Sequence, residues 1–191
     1  MGNTNKKSTL DDTRVSELQK IVDFNAMEIK DWYKEFNETT SGSYMTKSNF
    51  HQIYNKMFPG DATNFADEIF RTFDVDGNGK VDFKEFLVGL SVTSCSDLDK
   101  KLKWAFDMYD KDGNGVICLE EMEDIIRSVC KMVNAFTNLC QDVEPPEEIA
   151  KRIFEELDVD GNNQVTWEEF QKGAKKDQTV VSMLLCDPGL E

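Results

Sequence analysis

The chain has 191 residues, 39% of them hydrophobic, which is enough to bury one or two sizeable cores without disulfides or obligatory oligomerisation. Its 22 Lys and Arg against 37 Asp and Glu leave a formal charge of -15, which repels phosphate backbones and argues against nucleic acid as a partner. The five cysteines lack C-x-x-C spacing and His51 is the single histidine, so no zinc site is expected and reduced thiols of the cytoplasm are; no apolar run is long enough to cross a bilayer.

One segment recurs in register, as DVDGNGKVDFKEF from Asp74, DKDGNGVICLEEM from Asp110 and DVDGNNQVTWEEF from Asp158. Apolar residues at helical spacing flank each copy, so the repeat reads as helix, polar loop, helix. The first two loops carry the full D-x-[DN]-x-[DN]-G-x5-E pattern of the EF-hand, in which oxygens from positions 1, 3, 5, 7, 9 and 12 surround calcium and a sharp turn falls at position 6, and the third departs from it only at position 6.

In chain order, residues 1–24 are expected to form an N-terminal arm and a first helix. The arm begins MGN, and the acylation pattern M-G-x-x-x-[ST] is met at Gly2 but missed at Lys6. Residues 25–92 read as a first pair of hands. Glu38 stands 36 residues before Asp74, the interval that separates Asp74 from Asp110, and the segment ETTSGSYMTKSN keeps the frame of the repeat. Its ligands are gone: Thr40 replaces the acid at position 3, Ser43 the glycine at position 6, and Asn49 the glutamate at position 12. Trp32, Tyr33 and Phe36 before it, and Phe50, Ile53, Tyr54 and Met57 after it, keep the helices, so this copy is expected to fold and pair without metal.

In the next loop Asp74, Asp76 and Asn78 offer side-chain oxygens, Lys80 its carbonyl, Asp82 a direct or water-mediated contact, and Glu85 a bidentate closure. Residues 93–175 read as a second pair. Its first loop offers Asp110, Asp112, Asn114, the Val116 carbonyl and Glu121, with Cys118 at position 9 a poor ligand for a hard cation. Pro145-Pro146 followed by Glu147-Glu148 predicts the start of the helix that enters the last loop. That loop offers Asp158, Asp160, Asn162, the Gln164 carbonyl, Thr166 and Glu169, and puts Asn163 where the turn requires left-handed backbone. Three calcium ions are therefore expected, with magnesium the competitor at resting calcium, and the Asp158 loop is expected to bind most weakly of the three. Val81, Ile117 and Val165 at position 8 predict short antiparallel β bridges between paired loops, and residues 176–191 a C-terminal helix or tail containing Val180, Val181, Met183, Leu184 and Leu185. The expected fold is all-α, with four EF-hands in two pairs. A nucleophile elbow and a P-loop lysine motif are both missing, so an enzyme is not expected.

Several stretches together resemble the neuronal calcium sensor family, the recoverin, frequenin, visinin-like and hippocalcin type: MGN, WYKEF at Trp32–Phe36, the disabled first loop, FRTFDVDGNG, GLSVTS at Gly89–Ser94, and KLKWAFDMYDKDGNG from Lys101. Where that family commonly has Cys-Pro in the disabled loop, this chain has Thr40-Ser41. The resemblance implies a sensor N-myristoylated at Gly2, in which calcium moves the acyl chain and opens an apolar groove in the N-terminal half. Candidates for the groove lining are Trp32, Tyr33, Phe36, Phe50, Ile53, Tyr54, Met57, Phe58, Phe86 and Leu90, and the occupant is an amphipathic helix of a target such as a guanylate cyclase, receptor kinase, channel or lipid kinase. A single acyl chain binds membrane marginally, so reversible association with the cytoplasmic face would draw on Lys6, Lys7, Arg14 and Lys20 as well. A calcium buffer, which binds metal without opening, is the alternative.

Overall fold

Several helix starts in this chain are set by side chains that accept from otherwise unpaired N–H groups. The computed structural model describes residues 10–40, 43–57, 61–133 and 144–176. Gly2, Lys6, Lys7, Ser41, Phe58, Cys140, Cys186 and the apolar run from Val180 to Leu185 lie outside the described residues, as does the side chain of Met57. Asp11 caps α1 (Asp12–Leu18) by accepting from the Arg14 N–H at 2.8 Å. Asn25 and Glu28 form a reciprocal capping box at the start of α2 (Ala26–Thr39). A short strand β1 (Tyr44–Met45) then leads into α3 (Lys47–Met57).

The second hand consists of α4 (Thr63–Phe73), β2 (Val81–Asp82) and α5 (Phe83–Ser94). The third consists of α6 (Leu98–Tyr109), β3 (Val116–Ile117) and α7 (Leu119–Val133). The fourth consists of α8 (Pro146–Leu157), β4 (Val165–Thr166) and α9 (Trp167–Ala174), and α8 opens with proline in its first turn and Glu147 and Glu148 at the positive end of its dipole, as expected.

The position 8 residues pair as the spacing predicts. Met45 lies opposite Val81 and Ile117 opposite Val165 in two antiparallel ribbons, and all four side chains are buried. The architecture is all-α with short β bridges, and the disabled copy pairs with the Asp74 hand through β1 and β2. Around the first ribbon the core is aromatic: Phe50 meets Phe70 edge-on at 5.2 Å between centroids, and Phe36 meets Phe83 at 5.5 Å. Around the second, Phe106 meets Phe170 edge-on at 5.5 Å. Each such ring, fully buried, contributes roughly 1.5–3 kcal/mol.

The halves touch each other. Helix α4 packs on α6 and α7, and the connection from α1 to α2 is anchored to α5 by the Asp23 N–H, which donates to Ser91 Oγ at 3.0 Å, and to α6 by the ion pair of Asp23 with Lys100.

Two glycines four residues beyond a loop's closing glutamate mark close packing within a hand. A methyl group on Gly89 would overlap the ring of Phe73, the residue just before its loop, and one on Gly173 would overlap Leu157, which holds the same place in the fourth hand. Overpacking costs about 1–3 kcal/mol and outweighs the helix propensity that alanine would add. Gly89→Ala is therefore expected to lose about 1–2 kcal/mol net, read as a lower urea midpoint at unchanged slope; an unchanged midpoint would refute the packing.

Candidate metal centres

Each of the last three loops draws its acids together. Carboxylate oxygens of Asp74, Asp76 and Glu85 lie within 4.8 Å of one another, as do those of Asp110, Asp112 and Glu121 and those of Asp158, Asp160 and Glu169. Like charges at that spacing repel, and the backbone compensates by turning N–H groups inward. Asp74 accepts from Asn78 N–H at 3.0 Å and Gly79 N–H at 2.8 Å, Asp110 from Asn114 at 3.0 Å and Gly115 at 2.9 Å, and Asp158 from Asn162 at 3.1 Å and Asn163 at 3.0 Å. The position 3 acids Asp76, Asp112 and Asp160 each accept from the N–H of the following asparagine, Asn78, Asn114 or Asn162. The amide oxygens of Asn114 and Asn162 accept from Val116 and Gln164, two residues on.

The closing glutamates are held at both oxygens. Glu85 accepts from Asp76 N–H and Asp82 N–H, Glu121 from Lys111 and Cys118, and Glu169 from Val159 and Thr166. Hydrogen bonding from the Thr166 N–H holds the Glu169 carboxyl below its ordinary range, although partial burial works the other way. Asp82 and Thr166 are helix N-caps that complete reciprocal boxes with Glu85 and Glu169. Position 9 is thus part of the helix start as well as a candidate ligand, a role readable from D-x-x-E and T-x-x-E. Burial pushes the Cys118 thiol up, which keeps it protonated at neutral pH and unsuited to a hard cation.

The donor set is oxygen throughout, from carboxylates, amides and a hydroxyl, which suits calcium and not a softer metal. Carboxylate oxygens that all lie within 4.8 Å of one another leave room for one shared ion at calcium–oxygen distances of about 2.3–2.6 Å, so the residues present fit the ion. The disabled loop is arranged differently. Thr40 is buried with its hydroxyl donating to Phe36 O at 2.8 Å, and Asn49 keeps the helix-start contact by accepting from Thr46 N–H at 2.9 Å while carrying no charge.

These loops match known families. Residues 99–175 match the EF-hand domain pair and residues 65–93 the EF hand domain. Neuronal calcium sensor 1 of Lymnaea stagnalis is 39% identical over 96% of this chain and 97% of its own length. The chain belongs to the neuronal calcium sensor family. Other members at similar distance are human recoverin, 31% identical over 98% of this chain and 95% of its own length, and the guanylyl cyclase inhibitory protein of Lithobates pipiens, 36% identical over 84% and 79%.

The large apolar residues of the N-terminal pair pack into the core. Phe36 and Phe50 are buried in the core, and Trp32, Tyr33, Ile53, Tyr54 and Phe86 are half-buried against them, with Leu90 half-buried on α5. Cys95 and Cys118 are free thiols.

At position 6, Gly79 and Gly115 adopt φ of 78° and 87°, and Asn163 is forced to 63°. A left-handed conformation costs a side chain of ordinary residues about 1–2 kcal/mol, less for asparagine. Asn163→Gly is expected to relieve up to about 1 kcal/mol of this. Calorimetric titration should find tighter calcium binding at the Asp158 loop; weaker binding would show that the asparagine is not strained.

Proposed function

We propose that this protein is a calcium sensor that binds calcium at three loops and, in response, presents an apolar groove of its N-terminal pair to an amphipathic helix of a membrane-associated signalling protein. The observation that carries this reading is the threefold recurrence of an oxygen-only carboxylate cluster, each closed by a glutamate in the first turn of a helix. The proposed ligands are Asp74, Asp76, Asn78, Lys80, Asp82 and Glu85; Asp110, Asp112, Asn114, Val116 and Glu121; and Asp158, Asp160, Asn162, Gln164 and Glu169, with Lys80, Val116 and Gln164 acting through their carbonyls. The functional units are a pair over residues 25–92, a pair over 93–175, and terminal segments 1–24 and 176–191.

Bound calcium supplies a divalent positive charge shared among the oxygens of a loop. The protein's own part is mechanical. Glu85 lies in the first turn of α5, so its separation from Asp74 and Asp76 sets the position of that helix. Mutual repulsion favours a wider spacing when no cation is shared, and a change in spacing carries Phe86 with it. The Phe86 ring centroid is 5.3 Å from that of Phe36, 6.3 Å from Trp32 and 6.4 Å from Phe73, so movement of α5 alters how much of these rings water reaches. The half-buried Trp32, Tyr33, Ile53, Tyr54, Phe86 and Leu90 are the proposed contact surface, to which the sequence adds Met57 and Phe58, and Phe36 and Phe50 are its floor.

The name of the frog relative points to guanylyl cyclase as one class of target, and a myristoyl group on Gly2 is the proposed attachment to the cytoplasmic face of membranes. Among the described residues no helix is long and apolar enough to cross a membrane.

The test is fluorescence of a hydrophobic dye during a calcium titration of the acylated protein at cell-like magnesium. A steep rise between roughly 10⁻⁷ and 10⁻⁵ M is expected, and Glu85→Gln should suppress most of it while Glu121 and Glu169 still support binding. Calcium binding with no dye response would make the protein a buffer.

A further inference from the structure

The Asp110 loop is the one candidate centre whose first acid is buried; Asp74 and Asp158 at the same place are half-buried. What covers this end of the loop comes from the other half of the protein. Arg71, in the last turn of α4, points its guanidinium at the C-terminal end of α6. It donates to the carbonyls of Met108 at 2.5 Å, Asp110 at 3.3 Å and Asp107 at 3.4 Å. One turn earlier Glu68 pairs with Arg71 at 3.4 Å and with Lys111 at 2.9 Å, and Lys111, the second residue of the loop, also reaches Asp124 of α7 at 3.1 Å. A planar guanidinium that spans three carbonyls of a helix end fixes that end in a way a point charge does not, and it satisfies acceptors the helix leaves open.

Arg71 lies three residues before Asp74, whose N–H caps the same last turn of α4 by donating to Phe70 O at 2.9 Å. The backbones at the first positions of two loops that belong to different pairs are therefore both tied to the last turn of α4. We propose that Arg71 is a positioning residue for the Asp110 loop and makes occupancy of the Asp74 and Asp110 loops positively cooperative; this rests on the reading of both as calcium loops. Ordering the Asp74 end of α4 orders Arg71, so less remains to be ordered when the second loop fills. The charge of Arg71 acts the opposite way, because a cation beside the loop repels a second cation, so the two effects differ in the sign they give a mutant.

The experiment is a calcium titration of the full chain followed by NMR at the amides of Gly79 and Gly115, which donate to Asp74 and Asp110 and report each loop separately. It is run on wild type, Arg71→Gln and Arg71→Lys, each with and without Glu85→Gln. Arg71→Gln is expected to weaken the Gly115 response about fivefold or more. Glu85→Gln is expected to weaken it by a similar factor in the wild-type background and by less than about twofold once Arg71 is replaced. Arg71→Lys, which keeps the charge and loses the planar fork, should behave like Arg71→Gln, while a Gly79 response retained in both variants excludes a general folding defect. Tighter binding at Gly115 in Arg71→Gln, a wild-type response in Arg71→Lys, or an undiminished Glu85→Gln effect would each overturn the proposal. No Gly115 response to calcium in wild type would instead overturn the reading of the loop.

Discussion

Like-charge crowding is the constraint on which the loops depend. At about 4 Å two carboxylates repel by roughly 1 kcal/mol in water and about 4 kcal/mol near a protein surface, and each centre holds three within 4.8 Å. Inward-turned N–H groups offset part of this, two or three on each position 1 acid and two or three on each closing glutamate. Dipoles reduce the repulsion without cancelling the charge. A loop in this condition is folded, and its remaining strain is electrostatic, which is the kind a shared divalent cation removes.

The disabled hand gives an internal control for that argument. Thr46 and Asn49 keep the helix-start contact of Thr166 and Glu169, with an uncharged amide in place of the carboxylate. Thr40 turns its hydroxyl back to the end of α2, so the residue at position 3 serves the entering helix instead of the loop. With Glu38 the one carboxylate left in its frame, this hand has no acidic cluster that calls for a cation. Its remaining obligations are structural: Met45 is buried against Val81, and Phe50 stands against Phe70 and Phe73.

The parts of the fold legible in the sequence are those that one residue and its neighbours decide. Position 8 of each loop had to be apolar and extended, so Val81, Ile117 and Val165 marked three strands of the two ribbons, and Met45 holds the same place in the fourth. Asn163 marked its own left-handed turn, because the repeat has glycine at that place in the other two loops. Periodicity reached its limit at Phe36 and Phe50. An apolar residue on the inward stripe of a helix has the same spacing whether it is buried core or the floor of a groove, and only packing separates these two from half-buried Trp32 and Phe86. Gly89 and Arg71 were illegible for a related reason. The need for Gly89 lies in Phe73, 16 residues earlier, and the partners of Arg71 lie across the boundary between the two halves. Neither departs from local pattern, since a glycine in a helix and an arginine in its last turn are both ordinary.

The two pairs differ in how many helices their carboxylates govern, and this bears on which pair is suited to respond. In the C-terminal pair both α7 and α9 start at a closing glutamate, and the ribbon of Ile117 and Val165 links the two loops, so the helices are constrained together. In the N-terminal pair only α5 starts at one; α3 begins at the neutral Thr46–Asn49 contact. A helix that is to move needs something to move against. The silent hand supplies it, because α2 and α3 have no carboxylate cluster to reposition them, while α5 carries Phe86 between Trp32, Phe36 and Phe73. On the proposed reading, loss of calcium binding in the first loop is what turns a change in one loop into a relative displacement of aromatic surfaces, since two helices shifting in concert would preserve many of the contacts that one shifting alone must break.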